Sequence, residues 1–594
     1  MGKKNGLLDF DLLRRIFAYT KPYSLRFYLS VFLAIAMAML APVRPILINK
    51  TLAKVNGSDA SAMQSIVSFL LIITLIQIVL LVTEAAMRFL FSYMTSWIGH
   101  KVVKDIRVQV FNKILSLNLR QFDKTPIGTL TTRTINDIEA INDIFSEGLV
   151  PIIADFLSII AVLAAMFYTD AYLTLICLIP FPIMLIATYF FKESVNRSFT
   201  NVRNAISALN AFVQEHISGM QIIQAFTAEE KERKLFETIN RRHRDANIHA
   251  IFAYSIFFPV VEIVLAFSLG LLVWFAATEA YGFGSVAAIE VAGKIVSFML
   301  MLNLLFRPLR VIADKFNVLQ MGMVAGERVM LLLDNDDQLQ DNGKISKSIE
   351  GEITFEKVSF FYNEGVPVLT DISFDLKKGQ RLAIVGKTGS GKTTIINLIN
   401  RMYQHQAGRI LLDGIPIEEY SLTSLRSGVG IVLQDVFLFS GSVMDNVTLR
   451  NPAISKAEVR EAARMIGIDD FIESLPGGYD YRVMERGATL SLGQRQLLSF
   501  LRALLYKPSI LILDEATSSV DSHTEKLIQH AIEVLTSGRT SIIIAHRLST
   551  IKKADQIMVL EKGEIMEQGN HKSLLEKKGH YAQLIELQAT DLTN

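Results

Sequence analysis

Cysteine is almost absent from this 594-residue chain; the single one, Cys177, sits inside an apolar run. One thiol excludes a disulfide within the chain and leaves no basis for a cysteine-ligated metal site, so Cys177 reads as a small apolar side chain of a membrane helix. A charge imbalance is missing too. Sixty Lys and Arg stand against 58 Asp and Glu, a net charge of +2. That is far short of the basic excess needed to neutralise a polyanion, and no nucleic acid is expected as a partner. No short apolar segment with a small-residue cleavage site follows Lys3 and Lys4, so no cleavable signal peptide is expected.

What is plentiful is apolar sequence, 51% of the residues, and it is unevenly placed. The chain is too long for one hydrophobic core, and its first half differs in kind from its second. Six stretches, near 26–49, 64–92, 147–168, 171–191, 250–277 and 287–310, match the roughly 20 residues of helix that cross a bilayer. Before them, LLDFDLLRRIFAYTK (7–21) alternates apolar and charged positions at helical spacing, which predicts an amphipathic helix along the inner membrane surface.

The connections are unequal. Those near 50–63, 169–170 and 278–286 are short and poor in Lys and Arg; those near 93–146 and 192–249 are long and carry Lys101, Lys104, Arg107, Arg197, Arg203, Arg241 and Arg242 among others. The positive-inside rule places the long connections and both termini in the cytoplasm, and the protein in a membrane, expected to be a bacterial inner membrane. Both long connections keep helical periodicity, as if membrane helices ran on into water and turned back. The turns are marked by QFDKTPIGTLTTR (121–133), with Pro126 and Gly128 as breakers, and by Gly219 in EHISGMQIIQAFTAEEKE (215–232). Arg44, Glu84, Arg88, Asp155, Glu262, Glu290 and Lys294 fall in or near the spans, where charges are costly and seek partners. Glu84 with Arg88, and Glu290 with Lys294, are spaced for i,i+4 pairs.

From Gly351 the pattern changes to short β-branched runs alternating with helices, an α/β domain. The expected division is an amphipathic helix at 1–25, a transmembrane domain at 26–333, a linker at 334–350 and a nucleotide-binding domain at 351–594. The fold class is therefore a multi-domain membrane protein, with a six-helix all-α transmembrane domain followed by an α/β P-loop domain.

GKTGSGKT (386–393) follows the apolar run RLAIV and precedes TIINLINRMY, the strand–loop–helix setting of a P-loop. Gly386, Gly389 and Gly391 let the backbone wrap phosphates, with Lys387, Thr388, Ser390 and Thr394 completing the cradle. Lys392 would reach the β- and γ-phosphates of ATP, and Thr393 would ligate Mg²⁺. A second apolar strand, ILIL (510–513), ends in Asp514 and Glu515: one carboxylate to organise the metal, the other to act as general base on the attacking water. A third run, TSIIIA (540–545), leads to His546, which spacing alone reads equally as γ-phosphate-facing or structural.

LSLGQRQ (490–496), shortly before the Asp-Glu strand, resembles the signature motif of ATP-binding cassette (ABC) proteins, and the resemblance covers essentially the whole chain, as in type I exporters of the type IV fold that move lipid A or multiple drugs. The resemblance implies further roles. Tyr362 would stack on adenine. Gln434 would sense Mg²⁺ and contact the membrane domain. Glu485, Arg486 and Gly487 would form an exporter-specific loop, and Ser518, Ser519, Val520 and Asp521 would link two ATP sites. His546 matches the switch histidine. Ser491, Gly493 and Gln494 would face ATP held by a second half-transporter subunit, and the bends at 121–133 and around Gly219 look like coupling helices. The implied activity is ATP-driven export of lipids, lipid-linked molecules or amphiphilic drugs by alternating access, with membrane lipids and a hydrophobic substrate as partners. A peptide or metal-conjugate exporter is the alternative. One position departs from the family pattern: Leu492 stands where the signature normally has glycine. A homodimer is favoured, with the consensus half of a heterodimer as the other reading.

Overall fold

The computed structural model describes residues 9–56, 63–283, 285–339, 341–514, 521–544 and 548–591. The chain forms two compact units. One holds Met1–Leu115 and Pro126–Asp336; the other holds Ser116–Thr125 and Asp337–Asn594.

The first unit is built of helices joined by short turns among its described residues. Its leading helix, Phe10–Ala18, is capped by Asp9, whose carboxylate accepts from the amides of Asp11 (3.0 Å) and Leu12 (3.1 Å). Part of its apolar side packs within the unit, while Phe10 stays exposed. Leu13 and Ile16 are buried, and Gly326 approaches so closely that a Cβ there would lie 2.8 Å from Ile16 Cδ1. Burying such a side chain contributes about 1.5–3 kcal/mol. Arg15 closes the same contact with two bonds of 2.5 Å to the carboxylate of Asp334.

Among the described residues five helices are long and apolar enough to cross a membrane, six if a bent pair is taken as one span. In the second span, Ile66–Ser116, none of the most apolar window is buried; Leu71, Leu75, Val79 and Val82 all lie exposed. A continuous apolar face of that size is compatible with lipid rather than water. The first span, read as a single helix over 26–49, is in fact two, Ser24–Leu40 and Val43–Asn56, with Ala41–Pro42 between them. Pro42 has no N–H to continue the ladder. The fourth is likewise split into Ala171–Leu178 and Phe181–Ser218, bent by 40° beside Pro180. The long connections are helical extensions. Met63–Ser116 runs for 54 residues, and Glu229–Phe283 for 55. Gly219 ends one arm, a short helix Met220–Ala225 follows, and Thr227 turns the chain at φ 51°.

In the second unit the main sheet has six strands in the spatial order Glu564–Gly569, Gln556–Glu561, Arg381–Val385, Thr540–Ile544, Ile510–Asp514, Val429–Val432. The last five are parallel, and three of them, led by Ile510–Asp514 and Thr540–Ile544, are almost wholly buried. Burial on both faces explains why these strands read as unbroken apolar runs. A smaller antiparallel sheet is centred on Ile353–Phe360 and Ala407–Leu412. Asn118 Nδ2 donates to Asp337 at 2.6 Å, and Leu117 bridges to Gln338, so the ten-residue bend Ser116–Thr125 is built into this unit.

Candidate nucleotide site and its relatives

Parallel strands bring their carboxyl ends to one edge of a sheet, and that edge is where α/β folds bind ligands. Here four adjacent strands do so. Arg381–Val385 leads into the P-loop, Thr540–Ile544 into His546, Ile510–Asp514 into Glu515, and Val429–Val432 into Gln434. Ile544 pairs with both Ile384 and Asp514, and Val432 with Leu513, so the four ends are in register. Glu515, Ser518, Ser519, Val520 and His546 lie outside the described residues; the strands that deliver Glu515 and His546 are described to their ends.

The P-loop is closely packed. A Cβ on Gly386 would fall 2.2 Å from the Leu560 carbonyl oxygen, and one on Gly391 (φ 103°) 2.6 Å from Leu369 Cδ2. Only glycine fits at either place. The Lys392 ammonium curls over its own loop, donating to the carbonyls of Gly386 (2.9 Å) and Lys387 (3.0 Å). Burial holds its pKa below the ordinary lysine value, and the charge of Asp514 opposes that shift. Ser390 Oγ is buried and has no hydrogen-bond partner among the described residues. Such an atom, the loop amides and a buried lysine together suit a polyphosphate. Thr393 is exposed in the first turn of Lys392–Ile399, while Asp514 is 9% exposed at its strand end. These are hard oxygen donors of the kind Mg²⁺ takes.

Tyr362 stands beside this loop, its hydroxyl 3.1 Å from Thr394 Oγ1 and its ring half-buried. Gln434 is exposed, two residues beyond the last paired residue of its strand. The signature segment forms an N-cap. Ser491 Oγ accepts from the Gln494 amide at 3.2 Å, and Gln494 Oε1 accepts from the Ser491 amide at 2.9 Å, opening the helix Leu492–Leu505. Gly493 is buried, Leu492 half-exposed and Ser491 exposed, so the amide-rich helix end faces outward. In the loop before it, Arg486 takes φ 56°, and Arg495 reaches back to the Gly487 carbonyl at 3.4 Å. Asp521 caps the helix Ser522–Thr536.

Most of the charges in the spans have partners. Glu84 binds Arg88 at 2.9 Å, as its spacing suggested, and Arg44 at 3.7 Å. Lys294 bonds Asp170 at 3.1 Å; the Glu290 side chain, its expected partner, lies outside the described residues. Glu262 pairs with Arg310 at 2.8 Å, and Asp155 with Lys315. Sequence reasoning did not reach Asp170, Arg310 and Lys315, because their partners are 124, 48 and 160 residues away in the chain. It also passed over Tyr403, an aromatic without a motif around it.

Comparison with known proteins bears on the same regions. The family described as ABC transporter transmembrane region matches residues 27–309, and the ABC transporter family matches 369–518. An uncharacterized ABC transporter ATP-binding protein of Bacillus subtilis, YknV, is 38% identical, over 97% of this chain and 94% of its own. A putative multidrug export ATP-binding/permease protein of Staphylococcus aureus is 35% identical, over 97% of this chain and 100% of its own. Among solved structures, a bacterial Atm1-family ABC exporter with ATP bound superimposes with a TM-score of 0.76 at 27% identity, covering 98% of this chain and 99% of that one. An apolar helical first half, a sheet edge shaped for polyphosphate and this full-length similarity converge: the chain belongs to the ABC transporter family, as an integral membrane half-transporter of the type IV exporter fold that couples ATP hydrolysis to export.

Proposed function

We propose that this chain works as one half of a bacterial inner-membrane exporter for amphiphilic drugs, lipids or lipid-linked molecules, with its nucleotide unit and both termini in the cytoplasm. The observation that carries the reading is the convergence of four strand ends on one sheet edge, at the P-loop. The loop amides from Gly386 to Thr394 cradle the phosphates, and Lys392 leaves its own carbonyls to meet their charge. Thr393, Asp514 and Gln434 would hold Mg²⁺, which supplies charge neutralisation on the phosphates when bound. Tyr362 stacks on the adenine. Glu515 takes the proton of the attacking water, and His546 orients toward the γ-phosphate. The outward-facing cap at Ser491, with Gly493 and Gln494, is left to contact ATP held by a second subunit, and Asp521, the cap of Ser522–Thr536, would link the two sites.

Multidrug export in the names of relatives supports an amphiphilic cargo. A homodimer is the preferred assembly, since only Leu492 departs from the consensus among these ATPase positions. Leu492 sustains the second reading, the consensus half of a heterodimer, because its half-exposed side chain stands at the cap that would meet the partner's ATP. Glu515→Gln should keep ATP binding and lose turnover about 100-fold or more; undiminished hydrolysis by the purified variant would reject the assignment. Robust ATPase activity of the chain expressed alone rejects the obligate heterodimer. ATP-dependent dye or lipid accumulation in vesicles against a gradient marks a pump, and dissipative flux marks a channel.

A further inference from the structure

The bend Ser116–Thr125 belongs by its contacts to the nucleotide unit, yet both its ends are peptide-bonded to helices of the membrane unit. The amide of Asn118 donates to Asp337 O at 3.2 Å, and the Leu339 amide donates to Ser116 O at 2.8 Å, so the base of the bend is held by backbone. Its helix, Leu119–Lys124, carries the exposed Asp123, which accepts a short hydrogen bond from the Tyr403 hydroxyl. Tyr403 packs edge-on against Tyr362, ring centres 5.0 Å apart at 88°, and Phe360 meets both rings, at 4.8 Å from Tyr362 and 5.8 Å from Tyr403. Tyr362 in turn touches Thr394 in the helix that opens at the P-loop.

A T-shaped aromatic pair has a directional optimum, so one ring cannot tilt far without the other following. The Tyr403 ring has two anchors: its edge contact with Tyr362 and its hydroxyl on a carboxylate. A purine settling on Tyr362 therefore fixes the plane of Tyr362, then that of Tyr403, and with it the position of the Asp123 carboxylate. We propose that Tyr403 and Asp123 form a coupling pair through which occupancy of the adenine shelf, rather than of the phosphate cradle, is reported to the helices Met63–Ser116 and Ile127–Thr169. The inference rests on the exporter reading, and it assigns a role to two residues that touch neither phosphate nor metal. Tyr403 is a positioning residue, acting through Tyr362, and Asp123 is its membrane-side contact.

The test uses the full chain in lipid nanodiscs, with Cys177→Ala removing the native thiol and Tyr172→Cys, an exposed site near the outer end of the fourth span, carrying a bimane label. Binding of a fluorescent ATP analogue and the KM for ATP report the nucleotide site; the ATP-driven change in bimane emission reports the membrane half. Asp123→Ala should leave KM within about twofold of the parent, while the amplitude of the bimane response at saturating ATP falls about tenfold, the effect of removing one charge-assisted hydrogen bond. Tyr403→Phe, which keeps the ring, should give the same loss of response, and adding it to Asp123→Ala should add nothing. A parent-like bimane response in Asp123→Ala overturns the proposal. So does a parallel fall in ATP binding and response, which would make Asp123 a prop for the nucleotide site. If the parent itself gives no ATP-driven response, the exporter reading fails and the coupling pair falls with it.

Discussion

The membrane unit and the nucleotide unit solve the problem of buried charge in opposite ways. In the nucleotide unit, Lys392 and Asp514 are buried at a strand edge in order to meet a ligand, and burial keeps the lysine poised below its ordinary pKa. In the membrane unit, Asp155, Asp170 and Glu262 are neutralised by Lys315, Lys294 and Arg310 from other helices, so the charges close on one another. The first arrangement is local in sequence and signals chemistry. The second is long-range and ties helices to one another.

The contrast can be broken most severely at Asp155. Asp155→Ala leaves the Lys315 ammonium without its partner and should destabilise the detergent-solubilised protein by about 3 kcal/mol, read as a fall in thermal midpoint. The double change Asp155→Ala, Lys315→Met should recover most of that loss; a neutral single variant would show that water or lipid already solvates the pair. On the nucleotide side, Gly386→Ala drives a methyl into the Leu560 carbonyl, and overpacking of about 1–3 kcal/mol at the cradle should weaken ATP binding at least tenfold while the protein still folds. Titration with a fluorescent nucleotide checks it.

A charge pair that is structural but lies in the nucleotide unit sharpens the comparison. Tyr479 donates to Asp469 at 2.7 Å, and Arg464 to the same carboxylate at 2.9 Å. Burial alone would raise the Asp469 pKa, but these bonds outweigh it and hold the group below the usual carboxylate range. The folded pKa is depressed, so this stabilisation is complete above the unfolded carboxylate value and is lost as pH falls through the folded one. Tyr479→Phe should cost about 1 kcal/mol at pH 7 and flatten the acid limb of the thermal midpoint between roughly pH 5 and 3. An unchanged acid limb would count against the assignment. The smallest effect belongs to Arg15–Asp334. Both side chains are about half exposed, at 43% and 51%, so solvent screening limits Arg15→Ala to about 1 kcal/mol at most, fading in high salt.

How legible each half was follows from the same distinction. RLAIV with GKTGSGKT, ILILDE and TSIIIAH each combine a buried strand with the residues that leave its end, and sequence adjacency is spatial adjacency within such a unit. That is why the strands carrying the candidate site are legible in the sequence. The turns at Pro126 and Gly219 were readable for a related reason, since breakers act on their own backbone. The breaks at Ala41–Pro42 and Pro180 were missed because hydropathy over a 20-residue window averages across a proline. The packing of Ile16 against Gly326 was missed because a helix with an apolar stripe presents the same pattern to lipid and to protein.

Sequence alone determined that this protein has a membrane half and a nucleotide half, and which residue types stand at the phosphate cradle, because both depend on short-range pattern: apolar run length, charge around loops, glycines at fixed spacing. Tertiary structure decided the rest. It chose Asp170 as the partner of Lys294, set four strands side by side so that their ends share one edge, and joined Asp123 to Tyr403 across 280 residues of chain. Those outcomes depend on which surfaces meet when apolar area is buried, and no local periodicity records the partner.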